Sequence, residues 1–395
     1  MKHRATGAVL FGGGVLLLAL AAGLVFVVKP AMTKLPYDLE ASTSVAEAKG
    51  ATFLHITNGA IAIRQADLKS TVLVTPNREQ TANLSGDLDG DTVVWTVGQT
   101  VNRTDTKELV NAYGAMLALD RVSGAAAKWD GQYLDDTGTR EKVSFAGQVY
   151  KFPFNTEKRS YDVFDRDLRK SLPAEFKGTE DVDGLEAYRF EQVITDQQLN
   201  LAADRVALLL GALAPGATQG KMTYSNTRTL WIDPVTGAYV KVREQQSKTL
   251  VPDVGTPVSL LNADFVYNDA TVEASVKRAN ESRSQLAILG VYAPIGLAVL
   301  ALLLIVAGLL VTRRGGAAPA AEARHRADPV PADDPAPTRV DQPAVRDDKP
   351  AVRDDKSERD GGLLADEIPP ASTNWKSEDP TVPTQRPAPG EVEQR

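Results

Sequence analysis

Few side chains in this sequence are of the kinds that catalysis or metal binding draws on. Cysteine is absent, which removes thiolate nucleophiles, thiolate metal sites and any disulfide framework. Histidine occurs only at His3, His55 and His325. A Ser-His-Asp relay in the middle of the chain would rest wholly on His55, which sits between Leu54 and Ile56 as a strand histidine does. Multi-histidine metal sites are excluded there. The acids gather as Asp87-Leu88-Asp89-Gly90-Asp91, Asp135-Asp136 and Glu180-Asp181-Val182-Asp183-Gly184. The first has alternate carboxylates that can converge on calcium. However, Gly90 precedes the third acid instead of following it, and Gly98 stands where the bidentate Glu belongs, so it reads as an acidic turn. Nothing in the spacing pairs the other two with a nucleophile or a base. A carboxylate hydrolase is the weakest reading, and the sequence implies no enzyme, no catalytic residue, no metal and no cofactor.

Apolar and aromatic residues are more prominent: Trp95, Phe145, Tyr150, Phe152, Phe154, Tyr188, Phe190 and Trp231, with Val93, Val94, Val149, Val240 and Val242 among them. Strands apolar on both faces pack one face on helices and turn the other to a second sheet or an acyl chain. The run from Val206 to Ala214, VALLLGALA, is apolar on every side and too short to span a bilayer. It either packs as a core helix or covers an apolar cavity. On the second reading the candidate ligand-lining residues are Leu208, Leu209, Leu210, Leu213, Phe190, Val240 and Val242.

The elements that position these residues hang between two longer apolar runs. Gln285 to Thr312 is uncharged and ends at Arg313-Arg314. As a helix, Leu289 to Val311 rises roughly 35 Å, enough to cross a hydrocarbon core of about 30 Å. Ala5 to Val28 is likewise uncharged and follows Lys2, His3 and Arg4. Ala19-Leu20-Ala21 has the form of a signal-peptidase site, yet the apolar run continues beyond it, longer than an h-region, and reads as an uncleaved anchor. Basic residues on both outer flanks place both termini in the cytoplasm. The expected organisation is a cytoplasmic N-terminus (1–4), a first span (5–28), an extracytoplasmic domain (29–283), a second span (285–312) and a cytoplasmic tail (313–395).

Within the central domain, short β-branched and aromatic runs recur between Gly, Asn and Asp: 61–63, 71–74, 92–97, 142–152, 185–194, 227–232, 239–243 and 264–267. They read as strands, and Trp231 to Val240, with its DPVTG turn, as a hairpin. The stretch from Lys29 to Gly50 reads as an extended stalk. Helices are expected at Thr106 to Asp120, from the spacing of Leu109, Tyr113, Met116, Leu117 and Leu119, and at Thr195 to Ala214, from a Thr195-x-x-Gln198 capping pattern. The tail holds 13 of the 23 prolines and a tandem PAVRDDK repeat, so it reads as disordered. It serves either as a spacer or as a docking segment for a cytoplasmic partner, with Leu363-Leu364 and Trp375 as anchors. The net charge is −7, and no part has the basic excess that nucleic acid requires.

Several local strings resemble an actinobacterial PorA-like envelope family: Lys34-Leu35-Pro36, Leu119-Asp120-Arg121, Tyr150 to Phe154, Tyr161 to Asp165 and the Trp231 to Gly237 hairpin. The resemblance implies one span at each end of an extracytoplasmic domain and, in some members, a tie to mycolate-type glycolipids and polar envelope growth. A weaker likeness, carried by Gly184 to Phe190 and the DPVTG hairpin, is to the LolA and LppX lipid-carrier fold. The fold expected is a β-rich α+β domain, a curved antiparallel sheet with packing helices, between two transmembrane helices. The function expected is a non-catalytic cell-membrane protein that binds lipid or glycolipid and aids envelope assembly, with envelope-assembly membrane proteins as partners. The competing expectation is a scaffold or sensor for a protein or wall component. On the expected topology, alkaline phosphatase fused after Gly220 is active and after Gly316 is silent; activity at both sites refutes it.

Overall fold

The computed structural model describes residues 2–57, 59–136 and 138–314; the tail beyond 314, with its repeat and its docking anchors, lies outside them. Helices stand at both ends of the described chain. α1 (Lys2–Gly23) continues through a π-helical turn, Leu24–Val28, into α2 (Lys29–Met32). α5 (Asp269–Ala287) continues through a second π turn, Ile288–Tyr292, into α6 (Ala293–Arg314). Arg4–Met32 and Asp269–Arg313 are each long and apolar enough to cross a membrane. α1 and α6 meet along small residues. A Cβ on Gly14 would lie 2.6 Å from Ile305 Cγ1 and 2.7 Å from Ala301 O, and one on Gly308 would lie 2.8 Å from Gly7 O. Gly7 and Gly14 are two helical turns apart, as are Ala301 and Gly308, so each pair lies on one stripe and lets the backbones touch.

Between the helices the chain is almost wholly antiparallel sheet. The strands are β1 (Ser42–Thr57), β2 (Ala60–Pro76), β3 (Thr92–Arg103), β4 (Leu109–Asp120), β5 (Ala126–Ala127), β6 (Tyr133–Asp135) and β7 (Arg140–Lys142), then β8 (Tyr161–Asp165), β9 (Lys170–Val182), β10 (Leu185–Leu199), β11 (Gly220–Ile232), β12 (Tyr239–Pro252) and β13 (Val258–Tyr267). Two short helices, α3 (Arg78–Ala82) and α4 (Ala203–Leu213), interrupt the meander. The strand order is β7-β6-β4-β3-β2-β1-β13-β12-β11-β10-β9-β8, with β5 beside β4. The first long strand therefore pairs with the last, and the sheet bends far enough for its flanks to meet. Gln148 makes that junction, bridging Ala125 next to β5 and Val163 in β8. Its N–H donates to Asp162 O at 2.7 Å, Phe164 N–H donates to Gln148 O at 2.8 Å, and Ala126 N–H donates to Gly147 O at 2.8 Å. Gly147 has φ +63°, and a Cβ there would collide with the Asp162 carbonyl, so only glycine fits this seam.

The β-rich curved sheet agrees with the sequence reading, whereas four local expectations do not. Residues 109–120 form a strand: Tyr113, Ala115, Leu117 and Leu119 alternate inward, and β3 fixes that phase by pairing Trp95 with Leu117 and Val97 with Ala115. Residues 195–199 extend β10, because Gln197, Gln198 and Leu199 pair with Tyr224, Thr223 and Met222. Helix α4 thus starts at Ala203, and no side chain caps it. Residues 143–152 are irregular, with Phe145 and Phe152 turned into separate buried clusters. The stalk is shorter than expected, since β1 already begins at Ser42.

The helix seam is testable because the chain has no cysteine. A Gly7→Cys, Thr312→Cys pair, placed where a Gly7 Cβ would touch Thr312, cross-links readily under mild oxidation. Adding Gly14→Leu lowers the yield several-fold and leaves the unfolding temperature of the sheet unchanged. Equal cross-linking would show that the small-residue stripe does not set the helix spacing.

Candidate functional site

Closure of the sheet encloses a cavity of about 2170 Å³. Alternate residues of neighbouring strands line it: Val72 and Val74 of β2, Trp95 and Gln99 of β3, Tyr113 of β4, and Val242, Glu244, Gln246 and Lys248 of β12. Its lining runs from Leu208 and Leu209 on α4 to Val27, Met32 and Gln285 on the long apolar helices.

The middle of this lumen is charged, and the charges are paired. Arg228 on β11 faces Glu244 on β12 in register, with Nε 2.5 Å from Glu244 Oε1. Its other nitrogens donate to Gln192 Oε1 at 3.0 Å and Phe164 O at 3.1 Å, and lie 3.4 Å from Asp165 Oδ2. The Tyr224 hydroxyl donates to the same Asp165 oxygen at 3.0 Å. Burial pushes the Asp165 carboxyl above the usual carboxylate range, against the pull of Arg228. Lys248 Nζ lies 2.5 Å from Asp167 Oδ1. Burial opposes ionisation of Asp167, but Lys248 and Arg166 outweigh it and hold its carboxyl at about 2. The Arg166 guanidinium stacks 4.2 Å from the Tyr113 ring centroid. The Tyr113 and Tyr150 hydroxyls are 3.1 Å apart, and burial raises both phenols.

Against this geometry, the apolar residues singled out from sequence separate. Leu208, Leu209 and Val242 line the cavity, although Leu208 is 61% exposed. Leu210 and Leu213 pack beneath α4 with Leu250 and Leu260. Phe190 belongs to an aromatic cluster, 5.1 Å from Phe152 and 5.7 Å from Tyr161 between ring centroids. Val240 packs against Val272 and Val276 of α5. The lumenal ion pairs were missed by that reading, although β12 carried the signal. Val242, Glu244, Gln246, Lys248 and Leu250 share one strand phase, so charges sit in a row that begins and ends apolar.

The remaining chemical candidates serve structure. His55 Nε2 meets both Glu108 Oε1, at 2.8 Å, and Thr57 Oγ1, at 3.0 Å, so the imidazole does not stand between a base and a hydroxyl as a relay requires. Asp91 pairs with Lys34, and Gly90 O accepts from Tyr37 and Arg121, tying the acidic turn to the segment after α2. Lys151 is buried, donates to Phe152 O and Thr236 O, and lies 4.2 Å from the Phe154 ring. Burial pushes it down to about 7, with Asp233 opposing. It fastens the Tyr150–Phe154 string to the turn after β11.

The outward phase of β9 to β13 is largely charged or polar. It carries Glu175 and Lys177, paired along β9, Arg189, paired with Glu180 between β10 and β9, and Arg243 and Asp264, paired between β12 and β13. A barrel embedded in lipid turns an apolar band outward. These strands turn charges outward instead.

Comparison with known proteins gives one consistent result. The sequence model of a family described as Porin PorA matches residues 6–310. The chain is 26% identical over 303 residues to a protein named Porin PorA from Corynebacterium resistens, covering 56% of this chain and 72% of the relative. A second Porin PorA, from Corynebacterium amycolatum, is 23% identical over 271 residues, covering 54% and 69%. These names overturn the expectation of a lipid- or glycolipid-binding protein with envelope-assembly partners, and with it the scaffold or sensor alternative and the carrier-like function. The lumen agrees with that correction, because an acyl chain beside Arg166, Arg228, Glu244 and Lys248 would strip water from charged groups and supply no hydrogen bonds in return.

Two outcomes follow from the buried charges. Arg228→Met leaves Asp165 and Glu244 without their guanidinium and lowers stability by about 3–5 kcal/mol in chemical unfolding of the detergent-solubilised chain; a loss near zero refutes the pairing. For Lys151 the folded value, about 7, lies below its ordinary 10.5, so between those values the unfolded chain holds the extra proton. Stability therefore rises with pH from about 7 towards 10.5, and Lys151→Met removes that slope.

Proposed function

The chain belongs to the Porin PorA family, and on that premise we propose that it is a membrane-anchored, non-enzymatic protein whose lumen passes small polar solutes at the membrane surface. The observation that carries this reading is the lumen itself, about 2170 Å³ of space with a paired belt of charge at its middle. A site built to hold one ligand tightly is smaller, on the order of 300–1,000 Å³. Here Glu244, Gln246 and Lys248 offer donors and acceptors to whatever displaces water, as a solute path does.

In this reading residues 5–28 and 285–312 cross the membrane and 29–283 stand outside the cytoplasm. Lys2, Arg4, Arg313 and Arg314 keep the two termini on the cytoplasmic side. The polar outer face suits a barrel held in water above the bilayer. The cavity lining that includes Val27, Met32, Gln285 and Leu286 brings the path to the outer ends of the spanning helices. The relatives' name supplies passage as the activity, and the lumen supplies the route.

The native sequence lacks cysteine, so a single introduced thiol reports access. Gln246→Cys, inside the lumen, reacts with a small charged thiosulfonate and resists a maleimide carried on a bulky polymer. Ser247→Cys, one residue along and on the opposite face, reacts with both. In proteoliposomes holding the full chain, permeability to small polar solutes rises above that of protein-free vesicles, and Gln246→Trp lowers it several-fold. A thiol at 246 inert to the small reagent, or permeability equal to that of empty vesicles, overturns the reading.

A further inference from the structure

Arg166 differs from the other lumenal cations. Arg228 and Lys248 each hold a carboxylate oxygen at 2.5 Å, whereas the carboxylates nearest Arg166, Asp136 and Asp167, both stand 3.8 Å away. That distance supplies field without accepting a hydrogen bond. A guanidinium has five N–H donors. This one lines the cavity, its plane held over the Tyr113 ring. Beside it the Tyr113 and Tyr150 hydroxyls share one hydrogen bond. Two hydroxyls with one bond between them leave one O–H hydrogen to donate outward. Asp136 also lines the cavity, and its one ionic contact among the described residues is the 3.8 Å approach to Arg166.

Resting on the reading of the lumen as a solute path, we propose that Arg166, the Tyr113–Tyr150 hydroxyl pair and Asp136 form a binding position for small zwitterions. The guanidinium and the outward phenolic O–H take the solute's carboxylate, and Asp136 takes its ammonium group. Arg228–Glu244 and Lys248–Asp167 neutralise each other nearby, so the position carries no net positive excess. A simple anion would gain the guanidinium and meet the uncompensated Asp136 as well. A solute bearing both signs satisfies both groups, and planar bidentate pairing with Arg166 fixes its orientation. The raised phenols keep Tyr113 and Tyr150 protonated, as donors, across the physiological range.

The test uses the full chain in lipid nanodiscs with glycylglycine as the zwitterionic probe and acetate as the plain anion, binding read by calorimetry. Wild type binds glycylglycine more tightly than acetate. Arg166→Gln weakens glycylglycine roughly tenfold or more, the loss of a charge-assisted pair. Tyr150→Phe, which keeps the ring and its packing, weakens it a few-fold. Asp136→Asn weakens glycylglycine and strengthens acetate, a crossed response that loss of folding cannot produce. Acetate binding as tightly as glycylglycine to wild type identifies an ordinary anion site and overturns the proposal, as does unchanged glycylglycine affinity in Arg166→Gln and Asp136→Asn. Permeability of proteoliposomes, measured on the same preparations, separates the two readings. Permeable vesicles without glycylglycine binding remove this site and leave the passage. Binding without permeability removes the passage and leaves the site.

Discussion

Closure of the sheet on itself is the constraint from which the rest of the structure follows. An open sheet of this length would leave unpaired edges at β7, at β8 and on the free side of β5. The segment around Gln148 joins the last two: Gln148 N–H and C=O both pair with β8, and Gly147 O accepts from Ala126 of β5. Once the ring is closed, every second residue of every strand must face its interior. Those residues are then packed, paired or wetted. Near the chain's entry from α2, Leu35, Trp95, Leu117 and Phe145 pack. Around the middle, Arg228, Glu244, Lys248 and Asp167 pair.

That division explains which parts of the fold were legible in the sequence. Runs such as Thr92 to Val97 and Thr227 to Ile232 declare strands because their alternation has one interpretation. Residues 109–120 satisfy a 3.6 and a 2.0 period at once, and only the partner strand β3 decides between them. The closing segment around Gln148 is short, bent at Gly147 and paired through one residue, so it has no periodicity to read. The lumenal site escaped for a related reason. Arg166 and Asp167 come from the turn after β8, Arg228 from β11 and Glu244 from β12, and nothing in linear spacing brings the three elements together. The one local clue is β12, where polar residues occupy an apolar phase.

Family membership and lumen chemistry correct the same expectation from different directions. The relatives bear a porin's name, and the cavity lacks the continuous apolar wall that an acyl chain requires. The apolar residues that suggested such a wall are used elsewhere. Phe190 packs in the aromatic cluster with Phe152 and Tyr161, Val240 packs against α5, and Leu210 and Leu213 hold α4 against the sheet. Apolar content in a strand-rich chain therefore says that something is packed, and the topology says what.

The seam between α1 and α6 has a consequence for the barrel's unfolded state. Because Gly7 and Gly14 clasp Ala301 and Gly308, the polypeptide between the helices is a loop whose two ends stay together. An unfolded barrel would remain a tethered ring instead of a free chain, provided the helix pair survives. Removing that chain freedom acts as a long-range cross-link does, and for loops beyond a hundred residues it is worth on the order of 5 kcal/mol. In a sequence without cysteine, two helices that stay paired give the domain between them the entropic restraint that disulfides supply in other proteins.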